Sequence, residues 1–237
     1  MARRRPVWLP TLAAVVFAAL TATLGQWQWG KAELKAAKQA VYDEGERLPV
    51  LSWQEAVSLG TEAFYRRVRV NGRFLPDYRV LLDNRVQDGR AGYHVITPLD
   101  AGQGNVVLVN RGWVEAGADR RQVPTVDTPA GDLTVDGILV YAQGRYLELD
   151  QGTEEGTVWQ NLDLDRYRTW LGRHGGTVLS DWLVLQISPA KDGLVRAWPK
   201  PDLGIARHRS YAVQWFSMCA LIVGLWIYFV VVKRSVS

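Results

Sequence analysis

The chain has 237 residues with 28 Lys and Arg against 24 Asp and Glu, 48% apolar side chains, eleven tryptophans, three histidines and one cysteine. The apolar share excludes wholesale disorder. The single cysteine excludes an intramolecular disulfide framework and a thiolate-rich zinc or iron–sulfur site.

The net charge of +4 and the pI near 9.3 invite a nucleic-acid reading, but the position of the charge removes it. Arg3, Arg4, Arg5, Lys233 and Arg234 lie in acid-free ends, and residues 26–209 hold the other 23 bases with all 24 acids. A nucleic-acid-binding domain would carry its basic excess on the domain itself. Here the middle is at −1, so no nucleic-acid partner is expected.

The first element in chain order is an uncharged run, Val7 to Leu24, with Pro10 where the first helical turn tolerates a missing N–H. Trp8, Trp27 and Trp29 flank it at interface depth. A second uncharged run extends from Tyr211 to Val232 and is closed by Lys233 and Arg234. About 20 apolar residues at 1.5 Å each span a hydrocarbon core of ~30 Å. Both runs therefore read as transmembrane helices. Basic ends favour the cytoplasm, which puts the middle of the chain outside, in the periplasm of a bacterial cell. A cleaved signal peptide is the alternative for the first run. No small-residue cleavage site follows it, and helix formers continue through Lys31–Gln39. The expected organisation is a cytoplasmic tail with the first span over 1–25, a periplasmic domain over 26–209, and the second span with its tail over 210–237. Cys219 falls inside the second span, as a small apolar packer.

In the middle, a helix is predicted to leave the membrane and stop near Gly45. A short second helix, Trp53–Leu59, is predicted with Ser52 as cap and Glu55 at its third position. Then come short strands rich in Val, Tyr and Trp: Tyr65–Val70, ending in an Asn71-Gly72 turn signal, Arg73–Leu75, Arg79–Leu82 after Pro76-Asp77, Tyr93–Leu99, Val106–Val114, Leu133–Val140, Thr157–Gln160 and Trp182–Ile187. Only Asp163–Arg173 looks helical. Trp198–Asp202 reads as a stiff linker returning to the membrane. Regular βαβ alternation is lacking, so a parallel doubly wound sheet is not expected. The fold class is α+β: two transmembrane helices flanking a mainly antiparallel, partly closed sheet with a few helices.

No zincin, dithiol, nucleophile-elbow or phosphate-loop pattern occurs, and nothing argues for an enzyme. His94, His174 and His208 are 80 and 34 residues apart, without ligand-pair spacing. His94 reads as strand packing and His174 as a helix cap. Glu154-Glu155 reads as a solvated turn. His208 differs, because it stands between Arg207 and Arg209 just before the second span. His208, Tyr211 and Trp215 follow at i, i+3 and i+7, with Met218 or Cys219 continuing that face. An imidazole with aromatic walls and apolar depth suits a porphyrin, and flanking arginines suit its propionates. An interfacial belt that merely positions the helix is the competing reading.

Several segments carry a resemblance. They are Leu24-Gly25-Gln26-Trp27-Gln28-Trp29-Gly30-Lys31 and Arg69-Val70-Asn71-Gly72-Arg73-Phe74. Asn84-Arg85 with Gly89 and Gly92-Tyr93-His94-Val95-Ile96-Thr97-Pro98-Leu99 follow. Val109-Asn110-Arg111-Gly112-Trp113-Val114 and His208-Arg209-Ser210-Tyr211-Ala212-Val213-Gln214-Trp215-Phe216 complete the series. In this order, framed by two anchors, they resemble the SURF1 (Shy1-type) family of cytochrome oxidase assembly factors. The resemblance implies a two-span, non-enzymatic protein of the bacterial inner membrane with both termini cytoplasmic. It implies transient binding of haem a and help in its insertion into oxidase subunit I, with haem a synthase and the lipid bilayer as further partners. A haem-independent scaffold for an oxidase intermediate is the alternative. The family's histidine at the start of the second span corresponds to His208, the implied axial ligand of the haem iron. Trp27 and Gln28 on the other span are candidates to line the same groove, with Tyr211, Trp215, Arg207 and Arg209. Arg85 and Arg111 have two readings, structural or facing a partner. Gly92 and Gly112 are expected at close backbone approaches, with Tyr93 and Trp113 filling the core. A periplasmic sensor would share the two spans, but no signalling domain is expected after Lys233–Ser237.

Overall fold

The computed structural model describes residues 7–102, 104–117, 122–142, 156–172, 177–198 and 204–232. The basic ends, Glu154-Glu155, His174 and the linker segment 199–202 lie outside the described residues. The chain divides into two compact units. One comprises residues 1–41 with 200–237, the other 42–199.

The first unit is built from two helices. Helix α1, Trp8–Arg47, runs without a break through the apolar segment and the polar stretch predicted to follow it. Helix α4, Ile205–Trp226, ends in a π-type turn, Ile227–Val232. Both are long and apolar enough to cross a membrane. On α1 the more covered positions recur at 11, 14, 18, 21, 25, 28, 32, 35 and 39. On α4 they recur at 205, 208, 212, 215, 219, 222 and 226. These alternating steps of three and four are the seam of two helices packed at a shallow angle. Thr21, Gly25 and Ala32 are buried on one side and Ala212 on the other, so small residues let the backbones approach. The polar cross-links fix an antiparallel register. Trp226 Nε1 donates to Thr11 Oγ1 at 3.1 Å, and Cys219 Sγ donates to the Ala18 carbonyl at 3.4 Å. The Phe216 ring lies against Gly25. The opposite faces carry bare apolar side chains such as Leu12, Val16, Leu20, Leu221, Leu225 and Phe229, as lipid-facing surfaces do.

The second unit is a mainly β domain. Its described strands are β1 Leu51–Ser52, β2 Arg67–Phe74, β3 Val80–Gln87, β4 Arg90–Asp100, β5 Asn105–Glu115, β6 Asp132–Tyr141, β7 Val158–Trp159 and β8 Thr177–Gln186. The order is β1-β2-β6-β8-β5-β4-β3-β7, with a further β2–β4 pairing. That pairing, Arg73 with Asp100 and Phe74 with Leu99, closes β2, β6, β8, β5 and β4 into a ring. The sheet is thus partly closed and mainly antiparallel, as expected. The β1–β2, β3–β7 and β5–β8 pairs are parallel.

One predicted turn is corrected. Asn71-Gly72 lies inside β2, paired with Thr134 and Leu133 of β6. A Cβ at Gly72 would overlap the Asp100 carbonyl oxygen, so the glycine serves the crossing of β2 from β6 to β4. The tight turn sits instead at Asp88-Gly89, where both residues have positive φ, 49° and 76°, between β3 and β4. β3 also runs on to Gln87, past the predicted end at Leu82, through an irregularity between Leu82 and Arg85.

Alternation along the strands makes two main cores. Val68, Val70, Phe74, Leu99, Val107, Val109, Val135, Leu139 and Val184 fill one. Helix α2, Trp53–Leu59, adds Trp53 and Ala56 to it. Its start has the predicted capping box: Ser52 Oγ accepts from the Glu55 N–H, and the Ser52 N–H donates to the Glu55 carboxylate at 2.7 Å. Val106 and Leu108, from the other face of β5, join Val80, Leu82, Ile96 and helix α3, Leu164–Gly172, in the second core. β5 is buried on both faces, which suits its apolar run from Val106 to Val109. The outward residues of β2 and β6 form a polar ladder. Arg69 pairs with Asp136 at 2.7 Å, Thr134 donates to Asn71 at 2.7 Å and Arg73 pairs with Asp132 at 3.1 Å. A slip of one residue would turn these charges into the core, so the ladder helps hold the register.

Candidate functional site

Among its described residues the domain holds a fully buried charge cluster. Arg111, on β5, has no exposed surface. Its Nη2 pairs with Asp192 Oδ2 at 2.8 Å and donates to the Asp127 carbonyl, while Nη1 donates to Thr128 Oγ1. Arg196 Nη2 reaches the same Asp192 oxygen at 2.5 Å. The Arg111 guanidinium also covers the Phe74 ring at 5.0 Å. Burial alone would raise the Asp192 carboxyl. Arg196, the Leu194 N–H and Arg111 together outweigh it and hold the group below the ordinary range. Arg111 is therefore a structural tie between β5 and the segments at 127–128 and 192–196. Arg85 donates to the Gln160 carbonyl at 2.9 Å, and its own carbonyl accepts from Trp113 Nε1. Tyr93 and Trp113 are buried, and a Cβ at Gly92 would meet the Trp113 ring. His94 packs edge-on against Trp198, and burial, aided by Arg85, lowers its pKa to about 4. It is a neutral packing residue. Among the described residues no group of three or more His, Cys, Asp or Glu is placed to hold a metal ion.

The helix pair holds the other concentration of polar groups. His208 stands half-covered on the first turn of α4, on the seam. Its Nδ1 lies 2.7 Å from Gln28 Oε1 and its Nε2 lies 2.8 Å from Lys35 Nζ, both on α1. Gln28 and Lys35 are seven residues apart, on one stripe of that helix. The two contacts settle the tautomer. An ammonium only donates, so Nε2 must accept, and the ring proton sits on Nδ1 and is donated to Gln28. The charged side chains that act on the imidazole among the described residues are Lys35, Arg207 and Lys31, all cationic.

Of the other expected site residues, Trp215 is half-covered and follows His208 along the seam two turns on. Tyr211 is 47% exposed and sits beside the seam, because the step that stays on it from His208 is i+4, to buried Ala212. Arg207 and Arg209 are exposed on either side of His208. Gln28 is brought directly to the imidazole. Trp27 is 55% exposed, with the Lys31 ammonium 6.0 Å from its ring centre. Lys35 was missed by the sequence reading, although its heptad spacing from Gln28 is a usable signal.

The residues fit a haem. One imidazole carries a nitrogen lone pair at Nε2, engaged by Lys35 in this structure, its other nitrogen is oriented by the Gln28 amide, and cations stand nearby for carboxylates. Bound haem would supply an iron that takes a nitrogen ligand, and two anionic propionates. His208 would hold the iron, with Lys31, Lys35, Arg207 and Arg209 toward the propionates and Trp215 against the ring.

Two apolar helices, a partly closed β domain lying between them in the sequence, and polar contacts on the first turn of the second helix define a class: a β protein with two apolar end helices and a candidate functional site on that helix pair. The sequence matches the model of the SURF1 family over residues 15–220. It is 33% identical over 221 residues to an uncharacterised SURF1-like protein of Mycobacterium tuberculosis, covering 90% of this chain and 79% of that one. A SURF1-like protein of Rickettsia bellii is 24% identical over 220 residues, covering 90% and 86%. One from Drosophila melanogaster is 30% identical over 241 residues, covering 91% and 75%. The chain belongs to the SURF1 family.

Proposed function

We propose that this chain is a membrane-anchored, non-enzymatic assembly factor for haem–copper cytochrome oxidase. It holds haem a at His208 and releases it toward subunit I, downstream of haem a synthase. The observation that carries the reading is the imidazole of His208, oriented by Gln28 and surrounded by Lys31, Lys35 and Arg207. A helix pair that needed only polar adhesion has no use for so much positive charge beside one ring. A single axial ligand also suits a carrier, because one bond to iron is easier to exchange than two. By the positive-inside rule the basic ends favour the cytoplasm, which supports a periplasmic side of a bacterial inner membrane for residues 26–209.

The test is complementation. In cells lacking the chain, His208→Ala should leave subunit I short of haem a, read from the oxidase difference spectrum, while the wild type restores it. Full restoration by His208→Ala would support the haem-independent scaffold instead. That reading draws on the same observation, since the contacts of His208 also join the two helices.

A further inference from the structure

We infer that Lys35 is a displaceable cap on the iron-binding nitrogen of His208, and that Gln28 is the residue that keeps this nitrogen, Nε2, available. The inference rests on the haem-carrier reading above.

The geometry is specific. Nε2 is the nitrogen without the proton, and its lone pair accepts from the Lys35 ammonium at 2.8 Å. Nδ1 is turned to Gln28 Oε1 at 2.7 Å. A ligating histidine is ordinarily held by a hydrogen bond from its non-ligating nitrogen, which fixes the ring and raises its basicity. Gln28 makes that bond here. An iron at Nε2 and the Lys35 hydrogen bond compete for one lone pair. Loading therefore requires Lys35 to leave. The Lys35 stem is long and flexible, so the ammonium can swing to a propionate without moving the helix backbone. The same charge then serves two states: it satisfies the imidazole before loading and a carboxylate afterwards.

Rapid mixing of ferric haem b with the purified full-length protein in detergent tests the cap. Lys35→Met should speed association about tenfold, the effect of removing a charge-assisted hydrogen bond from the loading-competent nitrogen. Dissociation should also quicken, because a propionate partner is lost. Lys35→Gln, a milder change, should move both rates the same way, and Lys35→Arg should stay near the wild type. For Gln28, Gln28→Ala should weaken haem binding roughly 10–100-fold. The iron–histidine stretching frequency of the ferrous form should fall in Gln28→Ala and rise in Gln28→Glu, a signature that a merely structural contact would not move. If His208→Ala takes up haem as the wild type does, the haem-ligand reading fails. If His208→Ala loses haem while Lys35→Met and Lys35→Gln load at the wild-type rate, or the stretching frequency ignores residue 28, this inference alone is overturned.

Discussion

The two units treat positive charge in opposite ways. In the β domain Arg111 and Arg196 converge on Asp192, which has almost no exposed surface, and the cluster closes on itself with Thr128 and the Asp127 carbonyl. In the helix pair the charged side chains that act on His208 among the described residues, Lys35, Arg207 and Lys31, are all cationic. A buried charge has to be compensated locally, or the fold loses several kcal/mol per group. Half-exposed cations can wait for a ligand. An arginine compensated inside the fold, as Arg111 is by Asp192, belongs to architecture, whereas the exposed Arg207 carries no such load. Arg111 is architecture, although its motif looks as striking in sequence as that around His208.

That contrast can be broken by mutation. The largest effect is expected at Asp192. Asp192→Asn leaves two buried guanidiniums without a counter-charge and should cost about 3–5 kcal/mol. The thermal unfolding midpoint of the purified protein should drop by about 10 °C. A drop as small as that of a surface variant would show that the cluster is not structural.

Next is acid. The pKa of His94 is about 4 in the fold and near its ordinary 6.5 when unfolded. Below pH 6.5 the unfolded chain binds the extra proton, so stability is full above that pH and falls as pH drops toward 4. The loss is on the order of 2 kcal/mol. Asp192 is also held low, so its contribution disappears in the same direction at still lower pH. Denaturant melts at pH 7 and pH 4.5 should show the difference, and His94→Gln should shrink it. A smaller loss, about 1 kcal/mol, is expected for Ser52→Ala, which opens the capping box of α2, again by denaturant titration. The smallest is His208→Ala, which should shift the domain's melting midpoint by less than about 2 °C. A shift as large as that of Asp192→Asn would erase the distinction between the two regions.

Much of the architecture was legible in the residues. Unbroken apolar runs marked α1 and α4, and Ser52 with Glu55 announced α2. Val-rich segments located most strands within a few residues, because local patterning decides where a strand can bury one face. What failed was non-local. Asn71-Gly72 and Asp88-Gly89 carry similar turn chemistry, yet only the second turns, because the crossing of β2 onto β4 uses the missing Cβ of Gly72. The parallel β5–β8 pairing joins residues more than 70 positions apart and leaves no local mark. At the site, His208 was visible from its own helix face, and Gln28 from the family-like segment at the same leaflet on the other span. Lys35 was not, because it meets His208 only through the antiparallel register of the other helix. Tyr211 was placed on the stripe by its i+3 spacing, while the seam takes the i+4 step to Ala212. Asp192 lay in a stretch with no motif at all.

The most direct test of the central claim is the haem content of the purified, detergent-solubilised protein from cells that make haem a. The wild type should carry a Soret band, and His208→Ala should lose most of it while its β domain melts at the wild-type temperature. Equal haem in both proteins would contradict the account.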